Sequence, residues 1–244
     1  MVHRKAHLIR SVAPPGPSIN APKTVPAARK AIKHCVLLTG FDAFGGETIN
    51  PSWLAVKGLH GRQIAGHPIV AAQLPTVFDD SLTTLRQLLL QHKPMLTICV
   101  GQAGGRSALS LERVAINVND ARIADNAGAQ PVDTPVAPDA PAAYFTGLPI
   151  KAMLLALQQE GVAAEVSQTA GTFVCNHVFY SLMHFLASER GFKEARGGFI
   201  HVPFLPEQGS PCLELSEITR GLRVAVRCAL RTAQDVHVGA GALQ

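Results

Sequence analysis

Six short apolar runs recur along the chain from residue 35 onward, separated by stretches whose apolar residues follow a helical spacing. The runs are 35–40 (CVLLTG), 68–74 (PIVAAQL), 95–101 (MLTICVG), 109–118 (LSLERVAINV), 163–167 (AAEVS) and 198–204 (GFIHVPF). Several are apolar throughout, as strands covered by helices on both faces are. A helix is predicted to start at Pro51, because Asn50 can cap it and proline fits the first helical position. Others are predicted near Asp79 and Asp80, with Leu82, Leu85 and Leu89 on one stripe, at Pro149, just past Cys175, and near Ser216 for a run to Asp235. This alternation predicts an α/β fold. Between 119 and 149 the chain is rich in Asp, Pro and Ala and has no period. Longer than an ordinary connection, it is expected to form a lid or a pocket wall.

Composition narrows the class. With 244 residues and 47% hydrophobic content the chain can build one sizeable core, as one domain rather than two. No apolar run approaches the ~18 residues of a membrane span, and no signal-peptide pattern opens the chain. A soluble, non-exported protein without a membrane partner is the expectation. The net charge of +5 raises nucleic acid as a partner, but its location removes that reading. Residues 1–33 hold seven of the 22 Lys and Arg, none of the 17 Asp and Glu, and five prolines. The remainder, from residue 34 to 244, is about neutral. Such a segment cannot repay the entropy of ordering, so a disordered basic tail is expected, with a basic binding arm or an over-long start as alternatives. The five cysteines (Cys35, Cys99, Cys175, Cys212, Cys228) are scattered and lack CxxC spacing, which argues against a disulfide framework or a zinc ribbon. Most should be small core hydrophobes in a reducing cytoplasm.

Three residues break the pattern in ways that suggest chemistry. Cys175, in GTFVCNHVFYSL (171–182), falls where a glycine-led turn enters a predicted helix. There the unpaired N–H groups and the helix dipole favour a thiolate. His177 is nearest in sequence, but residues two apart on a helix point ~200° apart, and His184 projects away as well. His201 ends an apolar strand at a proline-punctuated loop, the place where α/β sheets present catalytic groups, although a lone histidine there is more often structural than catalytic. Glu112 falls on the same period-of-two face as Ser110, Val114, Ile116 and Val118. A carboxylate there must either meet a cation or orient a histidine. The glycine clusters GFDAFGGE (40–47) and GQAGGR (101–106) follow predicted strands but match no phosphate-loop spacing. They are expected to be turns that let backbone approach a small ligand, with Phe41 and Phe44 as core plugs or pocket walls.

Five blocks in order, LLTGFDAFGGETINPSW, PTVFDDS, GQAGGRSALSLERVAINVNDARIADNAG, AGTFVCNHVFY and HVPFLPEQ, resemble the pyroglutamyl peptidase I (pyrrolidone-carboxylate peptidase) family from about residue 35 to 208. The resemblance implies a single-domain three-layer α/β/α sandwich with a twisted, mostly parallel central sheet, usually a homotetramer. It implies a cysteine peptidase, without cofactor or metal, that releases pyroglutamate from the N-terminus of peptide substrates. Cys175 would be nucleophile, His201 base and Glu112 the orienting acid. Phe41 and Phe44 would wall the lactam pocket, with Gln102, Phe173 and Val174 nearby, and Arg122 and the Cys175 N–H would lie by the oxyanion. Ala43 departs from the usual proline of that loop. A non-catalytic relative or a nucleoside-phosphorylase-like protein are the competing readings, since similar sheets with glycine turns host the latter reaction.

Overall fold

The computed structural model describes Met1 and residues 34–241, so the rest of the predicted tail lies outside the described residues. Nine strands and five helices are present among them: β1 (Val36–Phe41), α1 (Pro51–Lys57), β2 (Gln63–Ile64), β3 (His67–Leu74), α2 (Phe78–His92), β4 (Leu96–Gln102), β5 (Leu109–Glu112), β6 (Val114–Ile116), β7 (Ala143–Phe145), α3 (Ile150–Gln159), β8 (Ala164–Ser167), α4 (Val174–Ser188), β9 (Arg196–Val202) and α5 (Leu215–Arg231). Seven strands form one sheet in the order β2-β3-β1-β4-β9-β5-β8. The β2·β3 and β9·β5 pairs are antiparallel and the other four are parallel.

The fully apolar runs became the central strands. Every residue of β1 and β4 is buried, because helices cover both faces. Alternation along each strand sends neighbours to opposite layers: Val36 and Leu38 join the core under α1, α3 and α5, whereas Leu37 packs with α2 and α4. In β9 the same rule sends Ile200 and Val202 to the first layer and Phe199 to the second. His201 therefore points with Phe199 toward α4, and the two rings lie 4.8 Å apart. Phe179, Tyr180 and Phe199 are fully buried in that second layer, each burial stabilising the fold by roughly 2–3 kcal/mol.

The caps fix the loops that reach the site. Asn50 Oδ1 accepts from Ser52 N and Ser52 Oγ, while its Nδ2 donates to the Asp42 carbonyl. Ser52 Oγ in turn accepts from Phe41 N, which ties the first glycine loop to α1. The helix packs so close to β1 that a Cβ on Gly40 would stand 2.6 Å from Trp53 backbone. Helix α2 has no side-chain cap of its own at Val77. Asp125, from the aperiodic stretch, supplies one instead by accepting from Phe78 N at 2.9 Å.

Two predicted elements are corrected. The run 109–118 is not one strand: β5 ends at Glu112, Arg113 leaves the sheet, and β6 pairs with β7 in a separate two-stranded sheet. Arg113 N donates to Ser167 O, whereas its carbonyl accepts from Thr146 N, so its backbone bridges two sheets. Helix α5 stops at Arg231 rather than Asp235. Asp235 instead caps α3 by accepting from Lys151 N and Ala152 N.

Candidate active site

Helix α4 begins one residue before Cys175, with Phe173 as an extended N-cap and no side-chain cap. Its first-turn N–H groups, that of Cys175 included, therefore have no partner from the capping side chain. Cys175 is half-buried and packs over β4 where a side chain on Gly101 would stand: a Cβ at 101 would be 2.8 Å from Sγ. Gly101 is the register partner of His201 across β4 and β9. Only glycine at 101 leaves room for the thiol beside the strand that carries the imidazole.

Behind His201 stands Glu112. Its side chain is completely buried, and Oε1 accepts from His201 Nδ1 at 2.7 Å. The antiparallel pairing of β5 with β9, Ser110 opposite His201 and Leu111 opposite Ile200, brings the two side chains together. With Nδ1–H committed to the carboxylate, Nε2 is the ring nitrogen left to act on the thiol. The two alternatives open for Glu112 are both realised, since Arg106 Nη1 donates to the same Oε1, also at 2.7 Å. Arg106 Nη2 donates to Thr169 O at 3.2 Å.

Burial dominates the protonation of this cluster. It pushes the Cys175 thiol up to about 12, with the Glu112 carboxylate adding to the rise and Arg106 opposing it. The dipole argument for a resting thiolate is thus outweighed by desolvation. Burial also holds His201 below the ordinary histidine value, although the Glu112 hydrogen bond and charge pull it upward. Both shifts favour a thiol beside a neutral imidazole.

The expected pocket residues separate into two depths. Phe44 and Phe173 are half-buried and their rings lie 6.1 Å apart, while Phe78 meets Phe173 edge-on at 5.4 Å. Phe41 is buried one layer deeper, 6.4 Å from Phe199, and Val174 is buried in the same core. Gln102 is nearly buried, its Oε1 accepting from Gln208 Nε2 at 3.1 Å. Arg122 is exposed on the loop after Asn119. A cavity of about 220 Å³ between α2 and α4, lined in part by Leu85, Arg86, His184 and Phe185, shares no lining residue with these groups. Among the described residues no set of His, Cys, Asp and Glu is arranged to hold a metal ion.

Arg106 and Phe78 were not singled out from the sequence. Arg106 reaches Glu112 around a turn, so no strand or helix period links them. The only signal was the buried acid's need for a cation.

The family model described as pyroglutamyl peptidase matches residues 34–232. Pyrrolidone-carboxylate peptidase of Cupriavidus taiwanensis is 57% identical over 213 residues, covering 85% of this chain and 98% of the relative. The Bacillus cereus protein of that name is 53% identical over 212 residues, with the same coverage. Pyroglutamyl peptidase I from Bacillus amyloliquefaciens superposes with a TM-score of 0.82 at 51% identity, over 85% of this chain and all of that one. Pyrrolidone carboxyl peptidase from Thermococcus litoralis gives 0.81 at 33% identity, over 84% and 99%. These likenesses span the sheet and the helices that bring Cys175, His201 and Glu112 together, and they set aside the nucleoside-phosphorylase reading. The chain belongs to the pyroglutamyl peptidase family.

Proposed function

We propose that this chain hydrolyses the bond after an N-terminal pyroglutamyl residue with Cys175 as nucleophile, His201 as general base and Glu112 as the acid that orients it. The observation that carries the reading is the placement of the thiol against Gly101, the register partner of His201, whose Nδ1 donates to a fully buried carboxylate. Both reacting groups rest neutral, so the ion pair forms during attack. His201 Nε2 takes the Sγ proton as sulfur bonds to the carbonyl carbon, and the imidazolium is stabilised by Glu112. Proton transfer requires thiol and imidazole to close to hydrogen-bond contact in the substrate complex. The Cys175 N–H at the open end of α4 faces the developing oxyanion, with Arg122 as a further donor. As the C–N bond breaks, the imidazolium gives its proton to the leaving amine. A water deprotonated by the same imidazole then hydrolyses the thioester, returning the thiol and free pyroglutamate.

Phe44 and Phe173 form flat walls for the lactam, over a floor built from Phe41 and Val174, with Gln102 beside it. A lactam nitrogen is acylated and uncharged, so the pocket needs no carboxylate for an ammonium group. The test is release of a fluorogenic amine from its pyroglutamyl and prolyl derivatives, before and after thiol alkylation. Pyroglutamyl turnover exceeding prolyl turnover by ~10⁴-fold and lost on alkylation is the expected result. Comparable turnover of both derivatives removes the lactam assignment.

A homo-oligomer, a homotetramer in the form the resemblance implies, completes the proposal. Exposed Phe145, Val132 and Ile123 supply apolar surface for it. The five cysteines are all free, which supports a reducing, cytoplasmic setting, and no helix among the described residues is long and apolar enough to cross a membrane.

A further inference from the structure

An arginine that meets a carboxylate only to neutralise it ordinarily uses two nitrogens on two oxygens. Arg106 does not. Its Nη1 donates to Glu112 Oε1, the oxygen already accepting from His201, and both contacts measure 2.7 Å. The second oxygen, Oε2, is buried with no hydrogen-bond partner. The second nitrogen, Nη2, goes to the carbonyl of Thr169, four residues before the N-cap of α4. One guanidinium thus touches the acid behind the base and the segment that delivers the nucleophile.

We propose that Arg106 is a positioning residue: by sharing one oxygen of Glu112 with His201 and holding the Thr169 carbonyl, it balances the acid's charge and keeps the nucleophile's loop in register with the imidazole. The proposal rests on the assignment of Cys175 and His201 given above. The charged and titratable groups acting on Cys175 are Glu112 from β5, Arg106 from the loop after β4, and Cys99 from β4. Those acting on His201 are Glu112 and Arg106. Arg106 opposes Glu112 at both: it disfavours imidazolium and favours thiolate. Without its charge, the base is protonated more readily and the thiol ionises less readily, so both limbs of a pH profile move to higher pH.

The experiment compares wild type, Arg106→Gln and Arg106→Lys, with thermal melting to establish that each is folded. Iodoacetamide modification of Cys175 is followed by mass spectrometry of its peptide across pH, and kcat and KM for a pyroglutamyl amide are measured over the same range. In Arg106→Gln the rate of Cys175 alkylation at a fixed alkaline pH should fall by about tenfold, and the acid limb of the kinetic profile should move to higher pH. In Arg106→Lys, which keeps the charge and loses the fork, the alkylation profile should stay and kcat should fall at unchanged KM. Coincident alkylation profiles for Arg106→Gln and wild type overturn the proposal, as does an Arg106→Lys profile displaced as far as that of Arg106→Gln. Failure of the wild type to hydrolyse pyroglutamyl amides removes the functional reading, whereas the alkylation profiles still decide the role of Arg106.

Discussion

Two buried histidines lie close to Cys175, and their surroundings differ in one decisive respect. His201 is 3% exposed and His177 is 4% exposed, and each is hydrogen-bonded through Nδ1. His201 meets a carboxylate at 2.7 Å; His177 meets the amide oxygen of Asn119 at 2.9 Å. A carboxylate stabilises the imidazolium that forms when a base takes a proton, and an amide does so far less. The Nε2 of His177 is also buried without a side-chain partner, and the Phe78 ring packs edge-on against the imidazole with 5.1 Å between ring centres. Burial pushes His177 down to about 4, with Asp79 and the Phe78 backbone pulling weakly the other way. Proximity in sequence selects His177; partner chemistry and the rotation of the helix select His201.

The comparison breaks most simply if the wrong histidine matters. His201→Ala should lower kcat by about 10³-fold or more, approaching the loss in Cys175→Ala, whereas His177→Gln should leave kcat near wild type. Steady-state kinetics on a pyroglutamyl amide decide this, and equal losses at both histidines would end the distinction. Glu112→Gln comes next, with an expected loss of about 10²-fold. Arg106 and His201 both direct N–H groups at Oε1, so they should hold the amide with its oxygen toward the imidazole. Because the base and acid act as a unit, the His201→Ala/Glu112→Gln double variant should lose about as much as the larger single one. A loss equal to the product of the two would mean that Glu112 acts independently of His201.

The same contrast separates what the sequence could convey from what it could not. Strands β1, β4 and β9 were legible because a strand covered on both faces needs apolar side chains at nearly every position. Cys175, His201 and Glu112 stood out because each violates the local pattern, and the ordered family blocks then joined them. The break at Arg113 was not legible, since residues on both sides of it keep the same alternation and only tertiary hydrogen bonds divert the chain. Strand β7 was missed because its three residues are too few to show a period of two. The thiol's protonation followed the same limit: the helix N-terminus is readable from sequence, but the desolvation that outweighs it is not. Arg106 belongs with these, as a contact made by the path of a turn.

A smaller effect concerns stability. His177 titrates near 4 when folded, below the ordinary value of about 6.5 that applies to the unfolded chain. The unfolded state therefore binds the extra proton first as pH falls. Stability is complete above pH ~6.5 and declines from there down to pH ~4, where the folded state also protonates. Between pH 7 and 5 this group alone should remove about 2 kcal/mol. Urea unfolding of wild type and His177→Gln at the two values measures it. The variant should show a correspondingly flatter dependence, and parallel pH dependences would mean that the ring is protonated equally in both states.

The smallest expected change in activity comes from giving His177 the partner that His201 has. Asn119→Asp places a carboxylate on the Nδ1 side of the ring, within the distance at which Asn119 Oδ1 now lies. An opposite charge that close favours imidazolium, so the His177 midpoint should rise from about 4 by a unit or more, as read from its ring proton shifts by NMR. Turnover should nevertheless stay near wild type. In a His201→Ala background the substitution should restore nothing, because two residues along a helix turn the ring ~200° away from the thiol. A carboxylate partner makes an imidazole a better proton acceptor, but only the strand position of His201, register partner of Gly101, sets that acceptor beside Sγ. Recovery of activity in the double variant would show that the partner alone suffices, and that the rotation of α4 does not decide which histidine serves as base.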